Sequence, residues 1–148
     1  MTDHPIRFFA DDAAVRHVGT GLLGRSLPRA EWTHEAHLAA CCWLLTERPD
    51  VDAPRDLPDI IRSYNVSVGG VNDDSQGYHE TLTQLYVAAV RVWLKRAAEA
   101  GLVERVNALL ASDIGKRDWP LTLYSRAHLF SVAARRGLVM PDLGEWPQ

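Results

Sequence analysis

The sequence predicts an all-α fold: a single helical-bundle domain of about five to six helices spanning residues 1–148, with its core over about 8–140. Apolar residues recur at helical spacing nearly throughout. Capping residues and Pro or Gly stops bracket the periodic stretches. No run alternates in the manner of a strand. A length of 148 residues, 47% of them hydrophobic and 24% charged, suits one folded domain and excludes a disordered or low-complexity chain.

Asp11 or Asp12 can cap a first helix in which Val15, Val18 and Leu22 share a face. After Pro28, Thr33 is the expected cap of a second helix reaching about Glu47. This helix is apolar on every side from Leu38 onward and so should be the central one. Asp56, followed by Pro58, should open a third helix whose stripe is Ile60, Ile61, Tyr64 and Val68, stopped by Gly69-Gly70. Residues 71–77 are dense in turn formers. A fourth helix is expected from 78 to about 100, ending at Gly101, with His79, Leu82, Thr83, Tyr86, Val90 and Trp93 facing inward. Leu102, Val103, Val106, Leu109 and Leu110 mark a fifth helix. Residues 113–120 form a loop, a sixth helix runs over 125–136 to Gly137, and the tail is irregular.

Nineteen acidic residues against 16 basic ones give a formal charge of −3. A coat for nucleic acid or an anionic membrane carries a basic excess, so neither is an expected partner; a small-molecule ligand is, and a homo-oligomer stays open. The cations are almost all arginine, with only Lys95 and Lys116. Cys41 and Cys42 are adjacent and point about 100° apart on a helix, which does not suit a disulfide. A reduced, buried pair is expected. The first residues lack the layout of a signal peptide. The longest apolar run, at 38–45, is far shorter than the roughly 20 residues of a membrane span. The expected location is cytoplasmic.

Four of the six histidines suggest a site. His34 and His37 lie in Trp32-Thr33-His34-Glu35-Ala36-His37-Leu38, three apart and thus on one helical face. His79 lies in Gly77-Tyr78-His79-Glu80-Thr81-Leu82-Thr83, and His128 begins the sixth helix. In an up-down bundle the even-numbered helices run parallel, so these four rings should meet in one layer. Helix N-termini and burial both favour neutral imidazole, the form that ligates metal. A divalent ion (zinc, iron or manganese) held by His34, His37, His79 and His128 is the sharper expectation, with Glu80 as acid/base or added ligand. Each residue also has a plain structural alternative. Glu80 suits a first-turn carboxylate, His37 a core histidine bonded to a carbonyl, and His34 and His128 exposed first-turn positions. Asn65, Tyr78, Thr83 and Arg126 are candidate substrate contacts, with Asn72 and Asp74 on the rim; His4 and His17 read as surface. Nucleotide-binding glycine loops, G-x-S-x-G and H-E-x-x-H are all absent.

The Trp-Thr-His-x-x-His-Leu string, the helix ending in Asn65 and the Gly-Tyr-His-Glu-Thr string together resemble a family of small bacterial helical proteins known as a domain of unknown function. The resemblance covers about residues 20–140 and implies a functional role for His34, His37, His79 and Glu80. A looser likeness is to the DinB-like bundles, which hold a divalent ion with three histidines; their paired histidines are four apart and late in the chain, so this is analogy of fold. Two readings follow for the same pocket. One is a metal-dependent hydrolase, lyase or transferase acting on a small polar molecule; the other is a non-catalytic module that binds a ligand or partner through histidine hydrogen bonds.

Overall fold

The carboxylate of Asp11 accepts from the Ala14 amide at 2.8 Å and opens α1 (Asp12–Leu23). Thr33 does the same for α2 (His34–Glu47), taking the Ala36 amide at 3.2 Å. The computed structural model describes residues 5–97 and 101–148. Within them the chain continues as α3 (Ala53–Ser67), α4 (Glu80–Arg96), α5 (Leu102–Ala111), α6 (Arg126–Leu129) and α7 (Val132–Arg136). Short 3₁₀ turns lie at Arg29–Glu31, Asp113–Gly115 and Trp119–Thr122. The described residues contain no strand, and no helix among them is long and apolar enough to cross a membrane.

α2 is the central helix, as its all-round apolarity requires. Leu38, Ala39, Ala40, Cys42 and Leu44 are almost wholly buried, each leucine contributing about 1.5–3 kcal/mol by leaving water. Both cysteines are buried and unpaired. α1 lies close against α2 at Gly19, where a β-carbon would stand 2.1 Å from the Trp43 ring. Any larger residue would force the helices apart.

Three boundaries differ from expectation. α3 begins before Asp56: Asp52 is the cap, accepting from the Arg55 amide at 3.2 Å, while the Asp56 carboxylate reaches back to the Asp52 amide at 2.9 Å. Pro58 therefore sits inside the helix. It has no amide to give the Pro54 carbonyl, and Gln84 of α4 donates there instead at 2.9 Å. α4 starts later because His79 is its cap rather than its second residue; its expected end near 100 lies outside the described residues, and Gly101 caps α5. The expected helix over 125–136 is two short ones. The Ser131 hydroxyl donates to the His128 carbonyl at 2.8 Å and accepts from the Ala134 amide at 3.1 Å, ending one helix and starting the next.

The core has two parts. The larger joins α1, α2, α3, α4 and α5. The smaller gathers Leu85, Tyr124 and Leu129, with Leu82, Trp119, Leu121 and Val139 against them. The terminal strap is tied to the smaller part: the Tyr124 hydroxyl donates to the Val139 carbonyl at 2.6 Å, and the Leu143 and Gly144 amides both reach the Leu123 carbonyl.

Candidate functional site

A cavity of about 450 Å³ lies between the two cores, bounded by Leu38, Leu57 and Ile61 on one side and Leu82, Leu121 and Leu129 on the other. A second, of about 460 Å³, lies toward the loop after α3. They share one wall, made by Trp32, His37, Ile61, Leu82 and Thr83. The stripe of α4 expected to face the core, Leu82-Thr83-Tyr86, lines the first cavity instead. The residues of that helix packed tightest are Thr81, Leu85, Val87, Ala89 and Val90.

His37 stands in the shared wall. Its Nδ1 donates to the Thr33 carbonyl at 2.6 Å, which leaves Nε2 without a proton and with its lone pair available. Its ring stacks on Trp32, centroids 3.8 Å apart at 27°. Trp32 in turn meets Tyr64 edge-on at 5.4 Å. Tyr64 is fully buried, and its hydroxyl donates to the Leu27 carbonyl at 2.9 Å. The imidazole is thus fixed by a chain of contacts ending in the core. The residue is exposed, and it lines both cavities. Although it keeps accessible surface, the protein atoms packed around the ring disfavour its charged form and pull its pKa down to about 4; the Thr33 carbonyl opposes this and His34 adds to it. At neutral pH the group is an uncharged acceptor.

The other histidines hold the fold. His79 uses both ring nitrogens: Nδ1 accepts from the Leu82 amide at 3.1 Å as the cap of α4, and Nε2 donates to the Leu129 carbonyl at 2.8 Å, tying α4 to α6. Burial lowers its pKa, opposed by the Leu129 bond. His34 lines the first cavity and donates through Nε2 to the Gly115 carbonyl at 2.8 Å. His128 donates to the Met140 carbonyl at 2.8 Å, stacks on Tyr124 and lines neither cavity. His17 pairs with Glu31 at 2.9 Å, and His4 lies outside the described residues. The four expected ligands do not assemble as a donor set. Among the described residues no group of three or more His, Cys, Asp or Glu is placed to hold a metal ion.

The remaining candidates divide similarly. Glu80 lies in the first turn of α4, where it accepts the Tyr78 hydroxyl; it lines neither cavity. Tyr78 lines the second cavity under the Arg62 guanidinium, 4.4 Å from the ring centre, and burial and Glu80 raise its pKa. Asn65 also lines that cavity, donating to Asn72 Oδ1 at 2.9 Å. The same oxygen accepts the Tyr78 amide, so the two asparagines fasten the loop. Gly77, at φ 81°, allows this fold-back: a β-carbon would stand 2.2 Å from the Val71 carbonyl oxygen. Asp74 is held by Arg136 through two bonds of 2.8 and 2.7 Å. Thr83 lines both cavities, its hydroxyl donating to the His79 carbonyl. Arg126 lies over the Phe130 ring outside both cavities.

Tyr86, Arg117, Arg29 and Phe130 line the cavities but were not among the site candidates of the sequence. Tyr86 presents a hydroxyl with no hydrogen bond among the described residues, and burial, with Asp118 nearby, raises its pKa. Arg117 and Arg29 each line one cavity, and Phe130 lines the first although half exposed. The one signal in the sequence was Tyr86 on the stripe with Leu82 and Thr83. Glu35, beside His34, is buried, its Oε1 has no partner among the described residues, and it lines neither cavity. Comparison with protein-family models, with curated proteins and with solved structures finds no match, so the site rests on its own geometry.

Proposed function

We propose that this protein binds a small, mainly apolar molecule in the cavity between its two cores, with His37 Nε2 as the acceptor for the ligand's hydrogen-bond donor. One observation carries the reading: a pinned, neutral imidazole with one uncommitted nitrogen, on a residue of the wall shared by two cavities. Ligand sites are typically concave, about 300–1,000 Å³, largely apolar and supplied with a few fixed polar groups. Leu22, Leu38, Leu57, Ile61, Val87 and Leu129 supply the apolar surface here, and His37, Thr83 and Tyr86 the polar points.

The test is calorimetric titration with a matched pair, 1-naphthol and 1-methoxynaphthalene, of which only the first carries a donor. The wild type is expected to prefer the naphthol by about tenfold, the worth of one good hydrogen bond. His37→Phe keeps a ring against Trp32 but removes the acceptor, and should abolish the preference. A preference that survives in His37→Phe, or no binding of either compound, overturns the reading. Binding that requires added zinc, iron(II) or manganese(II) would replace it with the metal site expected from the histidine spacing.

A further inference from the structure

Resting on that reading, we infer that the ligand is an anion: an apolar carboxylate that also carries a hydroxyl or N–H donor. The chain has more acidic than basic residues, yet among the described residues no Asp or Glu lines either cavity. The charged side chains that do line them are both arginines, Arg117 on the first and Arg29 on the second. Apolar walls exclude charge of either sign, so the admission of cations alone is selective. Neither arginine makes an ion pair or a side-chain hydrogen bond among the described residues. Several others do: Arg16 with Glu47, Arg48 with Asp50, Arg55 with Asp56 and Arg136 with Asp74.

The polar groups of the first cavity sort the ligand's ends. Arg117 and the unbonded Tyr86 hydroxyl are donors, and both suit a carboxylate. His37 Nε2 is an acceptor and repels one; it calls for the donor end. Asp118, next to Arg117 in sequence and near enough to raise the Tyr86 pKa, does not line the cavity. The carboxylate therefore belongs with Arg117 and the donor with His37, and the apolar body spans the leucine-lined space between the two cores.

Three probes of one shape separate charge from apolar fit: naphthalene-1-acetate, 1-naphthaleneacetamide and 1-(2-aminoethyl)naphthalene, titrated calorimetrically in low salt. The acetate should bind the wild type about tenfold tighter than the amide and tighter still than the amine, an order that Arg117→Gln weakens and Arg29→Gln/Arg117→Gln removes. Both arginines are exposed, so the variants should keep the wild-type melting temperature and their affinity for 1-naphthol. Amine or amide binding as tightly as the acetate overturns the inference, as does an acetate preference that persists in the double variant. Either outcome leaves the apolar site standing if 1-naphthol binds. Failure of 1-naphthol itself fells the parent reading.

Discussion

His37 and His79 are both neutral rings near helix N-termini, and they do opposite work. His79 commits Nδ1 to the Leu82 amide and Nε2 to the Leu129 carbonyl; nothing remains for a ligand. His37 commits only Nδ1, to a carbonyl of its own helix's first turn. Its other nitrogen has no hydrogen-bond partner among the described residues, and the residue lines both cavities. What separates a structural histidine from a chemically available one here is whether the second nitrogen has a partner. Neither burial nor the specificity of the surrounding motif decides it. The more distinctive string, Gly-Tyr-His-Glu-Thr, encloses the structural ring, and the commonplace His-x-x-His contains the available one.

The sharpest way to break this contrast is to remove each ring in turn. His79→Ala deletes a helix cap and orphans the Leu129 carbonyl, which together should lower stability by about 2–4 kcal/mol, read by urea denaturation. His79→Asn, a good cap residue, should recover about 1 kcal/mol of that loss. His37→Ala loses the stack on Trp32 but leaves the amide network of α2 intact, for about 1–2 kcal/mol. If His37→Ala proves the more damaging, the division of labour is wrong.

Acid tests both rings at once. Burial is the leading cause of each depression, to about 4 for His37 and downward for His79. The unfolded chain takes up these protons near 6.5, the folded chain only lower. More protons are then bound in the unfolded state, so the contribution of both rings is full above about pH 6.5 and declines below it, that of His37 being lost as pH falls toward 4. Imidazole NMR titration should find His37 still neutral at pH 5.5, where its acceptor role, and so the preference for 1-naphthol, should also persist. A His37 midpoint near 6.5 would mean that the packing around the ring does not disfavour its charged form, and that its acceptor role fails in mild acid.

The sequence carried most of the helices because their caps and stripes are local: Asp11, Thr33 and the all-round apolarity of α2 all fall where spacing put them. What it missed depended on partners distant in the chain. Asp52 and Asp56 are both adequate caps; the helix starts at the earlier one because Gln84 relieves the carbonyl that Pro58 cannot bond. Ser131 splits the last helical stretch through its own hydroxyl, a local effect overlooked because the apolar spacing runs on across it. The four histidines were rightly placed near helix starts, yet a residue's position cannot say which carbonyl its ring will meet. Gly115, Leu129 and Met140 lie 81, 50 and 12 positions away from His34, His79 and His128. Only His37, whose partner Thr33 is four residues back, had a legible bond.

Gln84 offers the finest comparison, because its bond to the Pro54 carbonyl is also long-range, 30 positions against 50 for His79, but serves a single orphaned group. Gln84→Ala leaves that carbonyl to solvent in a half-buried position and should lower stability by about 1 kcal/mol. Pro58→Ala restores an amide at the same site, so the carbonyl gains an intrahelical partner and Gln84 becomes redundant. In the Pro58→Ala background, Gln84→Ala should therefore have an effect of a few tenths of a kcal/mol, and the double-mutant cycle should show a coupling near 1 kcal/mol. A coupling near zero would mean that Gln84 stabilises α4 for reasons of its own and that the early start of α3 needs another cause.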